Sequence, residues 1–306
     1  MPESKSVKPR IAVIGLGSMG FGMAISLKRA GFAVTGCDVS ADLVARFVAD
    51  GGKGARTPAE AAHQTEIVIC VVLNAAQTET VLFGKDGAVE TLAKDAVFVS
   101  SATMDPNVAR RLAKQLEATG RHYLDAPISG GAQRAAQGEL TILASGSPAA
   151  FAKARPALDA MAAKLYELGD APGQGAAFKM INQLLAGVHI AAASEAITFA
   201  AKQGLDLQKV YEVITASAGN SWMFENRMPH VIAGDYKPRS AVEIFVKDLG
   251  IVQDMARNAR FPAPLASAAL QMFLMASASG MGRDDDASVA RLYARISGAQ
   301  LPGEVK

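Results

Sequence analysis

The sequence predicts an α/β protein with a doubly wound parallel sheet in its N-terminal part and an all-α C-terminal domain, joined by one long helix. Short apolar runs alternate with amphipathic stretches through the first half of the chain, which is the pattern of parallel strands covered by helices. Beyond about residue 170, strand signals stop and Ala-rich, Met-containing segments with helical periodicity follow. The length of 306 residues also suits two domains, since a typical domain has about 150. We expect them at 1–170 and 171–306.

The N-terminal domain has five strand candidates, each a short apolar run. Start signals for helices lie between them, at Ser40, Thr57-Pro58 and Asp105-Pro106, because a small polar side chain caps a helix and proline suits its first turn. The strand candidates are 11–14, 33–37, 67–73, 97–99 and 122–124, and the helices that these signals open are expected at 41–50, 59–64 and 107–119.

The long joining helix is expected from about residue 175 to 203, a stretch without internal proline that would measure about 40 Å. Although the stretch is mostly apolar, charged and polar residues interrupt it, whereas a membrane span needs about 20 nearly uncharged residues. We therefore expect no membrane span. The interrupting residues are Lys179, Asn182, Gln183, His189 and Glu195.

The composition argues against several classes of protein. Half of the residues are hydrophobic, 20% are charged and the net charge is +2, so the chain is neither disordered nor strongly charged. No basic stripe suggests nucleic-acid binding. Cys37 and Cys70 lie in separate apolar runs, so we expect neither a disulfide nor a metal site. The glycines between Gly15 and Gly22 argue against a signal peptide, and we expect a cytoplasmic protein.

The first apolar run leads directly into a glycine-rich loop, Gly15-Leu16-Gly17-Ser18-Met19-Gly20, which opens a helical pattern. This is the dinucleotide-binding fingerprint of a Rossmann domain in its required context. The first glycine permits the tight turn, the second lets the backbone approach a pyrophosphate, and the third lets helix and strand pack closely. Asp38 closes the second strand, 18 residues after the loop, where a carboxylate can accept hydrogen bonds from ribose hydroxyls. Because Asp38 would repel a 2′-phosphate and Val39-Ser40 supplies no arginine, NAD is favoured over NADP.

Two further loops follow predicted strands. Leu73-Asn74 ends the run 67–73, and Thr103 ends the loop after the run 97–99. Ligands bind beyond the carboxyl ends of strands in such sheets, so Leu73, Asn74 and Thr103 are candidate cofactor contacts. The alternative is that Asn74 and Thr103 are ordinary turn and capping residues.

Substrate chemistry is suggested by a loop and by a lysine. The segment Asp125-Ala126-Pro127-Ile128-Ser129-Gly130-Gly131 sets a hydroxyl beside two glycines whose N–H groups can hold a carboxylate, unless it is a plain loop. Lys179 lies early in the long helix among apolar neighbours. If its amine is partly buried in a cleft, desolvation favours the neutral form and lets it exchange a proton with a substrate hydroxyl; a snorkelling lysine is the alternative. Asn182, three positions on, shares a helix face with it.

Taken in order, four segments resemble the 3-hydroxyisobutyrate dehydrogenase-related (β-hydroxyacid dehydrogenase) family over nearly the whole chain. The resemblance implies a Rossmann domain, an all-helical second domain, and NAD(P)-dependent oxidation of a small hydroxy acid by a homodimer or homotetramer. It also implies that Lys179 is the catalytic acid/base. The segments are the glycine loop with Asp38, 125–131, 175–182 and 245–249; the implied substrate contacts are Ser129, Gly130, Gly131 and Asn182, and the implied cofactor contacts include Thr103 and Lys247.

One position departs from this family, because many members carry asparagine four positions after the lysine, where this chain has Gln183. Asn182 is expected to take over that contact. Segments 183–190 and 219–227 resemble members that oxidise L-threonate at carbon 2, and D-glycerate, 3-hydroxyisobutyrate or another aldonate stay open as substrates. A non-enzymatic NAD-sensing module on the same fold is an alternative from another class, as is a flavin or methyl-donor enzyme that shares only the glycine loop. The presence of Lys179 disfavours both.

Overall fold

The computed structural model describes residues 8–303. The chain forms two compact units that divide between Lys179 and Met180, inside the long helix. The domain boundary that the sequence predicts, between residues 170 and 171, lies where the composition changes, and it stays a prediction.

The first unit is built on a six-stranded parallel sheet with the strand order β3-β2-β1-β4-β5-β6. The order reverses between β1 and β4, and ligands bind in doubly wound sheets at such a switch point. All five strand candidates are confirmed as strands, whereas β3 was missed because three residues, two of them exposed, form no apolar run. The strands are β1 (Ile11–Ile14), β2 (Val34–Cys37), β3 (Lys53–Ala55), β4 (Ile67–Cys70), β5 (Val97–Ser100) and β6 (His122–Asp125).

Helices cover both faces of this sheet, and the strand residues alternate between two cores. Ile11 and Val13 pack into one core with residues of α1 and α7, while Ala12 and Ile14 pack into the other with residues of α4 and α5. This alternation follows from the two-residue repeat of a strand. The helices are α1 (Gly20–Arg29), α2 (Ala41–Ala49), α3 (Pro58–Ala62), α4 (Ala75–Phe83), α5 (Pro106–Glu117), α6 (Gly131–Gln137) and α7 (Pro148–Met161).

A second, three-stranded sheet completes the first unit and adds three strands that were not among the sequence candidates. It consists of β7 (Ile128–Ser129), β8 (Leu140–Ala144) and β9 (Ala162–Glu167), with β7 antiparallel and β9 parallel to β8. The sequence did not reveal β7 because it has two residues, nor β9 because it has no buried residue along its length. The sheet fixes the segment that follows β6, since Asp125 also forms a bridge with Ser145 at the end of β8.

The second unit is helical in the part of the chain that the structure describes, as predicted. The long helix α8 (Gln174–Lys202) differs by one residue at each end from the expected 175–203. By length and composition alone it could cross a membrane, yet 44% of its most apolar stretch is buried. Ile190 and Ile197 contribute to the hydrophobic clusters of the unit, and the expected absence of a membrane span stays a prediction. The later helices are α9 (Leu207–Thr215), α10 (Trp222–Ala233), α11 (Val242–Asn258), α12 (Pro264–Ala276) and α13 (Val289–Ser297).

Candidate active site

The carboxyl ends of the parallel strands bring the predicted cofactor residues to one edge of the sheet. Ile14 is the register partner of both Cys37 and Cys70, Cys70 pairs with Ser100, and Ser100 pairs with Asp125. The glycine loop, Asp38, Leu73-Asn74 and Thr103 each follow one of these strands within a few residues. The edge beside the switch point therefore carries every cofactor residue that the sequence places in the first unit.

The glycine loop has the geometry that a dinucleotide requires. Gly15 has a φ of +96°, and a Cβ there would lie 2.3 Å from the Val71 carbonyl oxygen. A Cβ on Gly20 would lie 1.8 Å from the Gly15 carbonyl oxygen, so neither position accepts a side chain. A Cβ on Gly17 would instead project into open space, which is where the second glycine of the fingerprint lets a pyrophosphate approach the backbone. The loop fits the cofactor.

Asp38 holds this loop in place. Its Oδ2 accepts a hydrogen bond of 2.6 Å from the Leu16 N–H, and its Oδ1 accepts one of 2.8 Å from the Ser40 N–H. Each carboxylate oxygen has a second lone pair, so these bonds leave capacity for ribose hydroxyls. Val39 next to it is fully exposed. Sequence reasoning found the carboxylate but missed that it also ties β2 to the glycine loop.

The two turn residues Asn74 and Leu73 take part in starting α4. The Asn74 Oδ1 accepts a hydrogen bond of 2.9 Å from the Gln77 N–H, and the Leu73 N–H donates to the Gln77 Oε1 at 2.8 Å. Asn74 is thus a helix cap, the alternative that the sequence left open, and its contact with the cofactor stays a prediction. Thr103 is partly buried between Ala102 and Met104, which are both buried.

The predicted carboxylate-binding loop begins at the end of β7. Gly130 and Gly131 have φ values of +137° and +80°, a conformation that favours glycine, and α6 begins at Gly131. A Cβ on Gly131 would meet no atom within 4 Å. Ser129, which ends β7, is partly exposed. The loop therefore places a partly exposed hydroxyl beside two glycines, and its contact with a substrate carboxylate stays a prediction.

Lys179 lies near the start of α8, and the first turn of that helix is bound to the end of β6. Asp125 Oδ2 accepts hydrogen bonds from the N–H groups of Gly173 at 3.0 Å and Ala176 at 2.8 Å, and from the Ser145 hydroxyl at 3.3 Å. Burial raises the pKa of Asp125 to about 6, against the lowering effect of these donors. Lys179 itself is only 8% exposed.

The second unit joins the other predicted site residues in one chain of hydrogen bonds. The Asn182 amide donates to the Gln183 Oε1 at 2.9 Å, and the Gln183 amide donates to Asp248 Oδ2 at 2.5 Å. Lys247 Nζ lies 2.5 Å from Asp248 Oδ1. Gln183 and Asp248 are buried, whereas Asn182 is exposed. The longer side chain at the position that departs from the family thus reaches Asp248, a residue that sequence reasoning did not single out.

Comparison with known proteins identifies the family. One family model, the NAD binding domain of 6-phosphogluconate dehydrogenase, matches residues 10–169, and another, described as NAD-binding of NADP-dependent 3-hydroxyisobutyrate dehydrogenase, matches residues 173–293. This chain belongs to the 3-hydroxyisobutyrate dehydrogenase family. The family resemblance of the sequence is thereby confirmed, as is the predicted fold class of a Rossmann domain followed by helices.

Relatives within this family match nearly the whole chain. The L-threonate dehydrogenase of Cupriavidus necator is 51% identical over 97% of this chain and 99% of its own. The L-threonate dehydrogenase of Escherichia coli is 47% identical over 96% of both. A crystal structure of 3-hydroxyisobutyrate dehydrogenase from Salmonella typhimurium is 48% identical and superposes with a TM-score of 0.89, over 93% of this chain and 100% of that one. The chain is an NAD-binding hydroxy-acid dehydrogenase.

Proposed function

We propose that this dehydrogenase oxidises L-threonate at carbon 2 to 2-oxotetronate (2-dehydro-L-erythronate), with NAD as the hydride acceptor. The observation that carries the proposal is the identity of 51% to an L-threonate dehydrogenase, which extends over 97% of this chain. The open position at Gly17 and the buried lysine in α8 support it.

In the proposed mechanism, the Ser129-Gly130-Gly131 loop holds the substrate carboxylate and Asn182 aligns the alcohol. Neutral Lys179 accepts the proton of the hydroxyl on carbon 2, and its ammonium form returns that proton to solvent after product release. When bound, the nicotinamide accepts the hydride from carbon 2 and so carries the redox chemistry. The protein contributes chiefly by holding the donor carbon and the base in a reactive arrangement, which can lower a barrier by about 7 kcal/mol or more.

The same proposal assigns the cofactor contacts. The glycine loop with its residues Leu16, Ser18 and Met19 would hold the pyrophosphate. Asp38 would accept hydrogen bonds from the ribose hydroxyls and exclude a 2′-phosphate by repulsion. Leu73, Asn74 and Thr103 lie along the same sheet edge, and Lys247 would reach the cofactor from α11. We expect a clear preference for NAD when initial rates with NAD and NADP are compared.

Substitution of Lys179 tests the mechanism. We expect Lys179→Ala to lower kcat by about 10²-fold or more, since general acid–base catalysis contributes about that much, and to leave NADH binding unchanged. The matched control is Lys202→Ala, which removes an exposed lysine from the other end of the same helix. Turnover of the Lys179→Ala enzyme near that of the wild type would remove this residue from the proposed role.

A panel of acids tests the substrate. We expect NADH formation to be fastest with L-threonate when D-threonate, D-erythronate, D-glycerate and 3-hydroxyisobutyrate are compared at matched concentrations. The second candidate is 3-hydroxyisobutyrate, because the crystal structure with a TM-score of 0.89 is a 3-hydroxyisobutyrate dehydrogenase. Preference for another acid, D-glycerate with tartronate semialdehyde included, would keep the dehydrogenase and refute the L-threonate assignment.

We also propose a cytoplasmic homodimer or homotetramer. Apolar side chains on α8 are exposed in the single chain, among them Phe178, Ile181, Leu185 and Phe199, each at least 49% accessible. Exposed apolar surface of this kind favours association. Light scattering coupled to size-exclusion chromatography would measure the mass, and a monomer at micromolar concentration would refute this part.

A further inference from the structure

The start of α8 is bound to the sheet by two side chains from outside the helix. The first N–H groups of any helix lack partners within it. Here Asp125 Oδ2 accepts hydrogen bonds from the N–H groups of Gly173 and Ala176. The Ser145 hydroxyl oxygen accepts one of 2.9 Å from the Gly175 N–H. The Ser145 hydroxyl in turn donates to Asp125 Oδ2. These residues all belong to the first unit, and Asp125 is 1% exposed.

The backbone in this region also leaves little freedom. A Cβ on Gly175 would lie 2.3 Å from the Leu143 carbonyl oxygen and 2.9 Å from that of Asp125. Gly173 has a φ of +105°, and a Cβ there would lie 2.8 Å from the Arg110 Nε. The first turn of α8 is therefore pressed directly against the ends of β6 and β8. Its position is set by contacts that a side chain at either glycine would break.

Lys179 lies in the next turn of this helix. It lies three residues after Ala176, which places its Cα about 4.5 Å further along the helix axis at 1.5 Å per residue. A rigid first turn thus determines where the lysine side chain begins. A displacement of about 1 Å at a reacting group can lower a rate about 10²-fold.

We propose that Asp125 is a positioning residue for the dehydrogenase reaction: with Ser145, its carboxylate fixes the first turn of α8 against β6 and so sets the place of Lys179. The proposal rests on the proposed function of Lys179 as the base. A carboxylate suits this position because the N-terminus of a helix carries a partial positive charge. Arg110 from α5 adds a favourable charge, and Tyr123 lies two residues before Asp125 on β6.

Three variants separate positioning from folding. Asp125→Ala removes Oδ2, the single acceptor for the Gly173 and Ala176 N–H groups. Asp125→Asn keeps one carbonyl oxygen that can accept hydrogen bonds from them. Ser145→Ala removes the acceptor for the Gly175 N–H together with the hydroxyl that donates to Asp125 Oδ2. The matched control is Asp206→Ala, because Asp206 accepts the Gln208 and Lys209 N–H groups at 2.9 and 3.1 Å at the start of a different helix, α9.

Kinetics, NADH binding and hydrogen exchange are measured on the full-length variants. We expect Asp125→Ala to lower kcat by about 10- to 100-fold while the NADH Kd stays within about threefold, and to speed amide exchange in 173–181. Asp125→Asn should restore most of the kcat, Ser145→Ala should fall between, and Asp206→Ala should match the wild type.

A kcat within about threefold of the wild type in Asp125→Ala would overturn the proposal. A loss of NADH binding equal to the loss of kcat would also overturn it, because the residue would then only stabilise the fold. Exchange in 173–181 needs no turnover, so unchanged protection in Asp125→Ala refutes the positioning role whichever acid is the substrate. Absence of turnover by the wild type on every acid would instead refute the proposed function alone.

Discussion

Asp125 makes the stability of the first unit depend on pH in an unusual direction, and Asp125→Asn should remove that dependence. Burial raises the pKa of the folded-state carboxyl to about 6 from an ordinary value of 3.8. Between these values the folded chain binds a proton that the unfolded chain does not, so the free energy of unfolding falls as the pH rises. A shift of about 2 pKa units corresponds to about 3 kcal/mol, at about 1.4 kcal/mol per unit. This destabilisation of the folded state is nearly complete above about pH 7 and nearly absent below about pH 3.

The measurement compares the wild type with Asp125→Asn between pH 4 and pH 7. Unfolding in urea is monitored through the hydrogen exchange of peptides from β6. This signal reports on the first unit alone. We expect the variant to gain about 3 kcal/mol relative to the wild type as the pH rises from 4 to 7. The control is Asp50→Asn, which removes the same charge from an exposed aspartate. A difference between wild type and Asp125→Asn that stays constant over this range, or one of opposite sign, would refute the reasoning.

Three further outcomes follow from the contacts of single residues. Asp38→Ala should lower kcat/KM for NAD by at least about tenfold and reduce the ratio of kcat/KM with NAD to kcat/KM with NADP. If initial-rate assays give an unchanged ratio, this carboxylate does not select the cofactor. Gln183→Leu removes the donor to Asp248 and should lower the free energy of unfolding of the helical unit by about 1.5 kcal/mol or more, since a hydrogen bond to a charged group contributes about that much to stability. An unchanged urea midpoint would contradict this. Asp286 is fully buried, and its Oδ1 lies 2.5 Å from the Arg227 Nε. Arg227→Ala leaves this carboxylate without its cation, so the free energy of unfolding of the helical unit should fall by about 3 kcal/mol. An unchanged melting temperature would argue against this.

Much of the fold was predictable because it depends on local pattern. The apolar runs that became β1, β2, β4, β5 and β6 have enough β-branched or aromatic residues and clear enough ends to be recognised without knowledge of their partners. The apolar length of α8, without an internal proline, placed its ends to within one residue. Strands such as β3 and β9 carry no such pattern, because an edge strand needs only one neighbour for its hydrogen bonds and can remain exposed. Whether such a segment forms a strand depends on its hydrogen bonds to the neighbouring strand.

The same division holds for the candidate site. The glycine loop, Asp38 and Lys179 are visible in the sequence because each chemical role demands a particular residue type beside a particular element. The links between such residues are not visible, since they join positions far apart in the chain. Asp125 and Ala176 are 51 residues apart and Gln183 and Asp248 are 65 apart. A hydrogen bond depends on distances of about 3 Å and on direction, and only the packed chain brings donor and acceptor into that range.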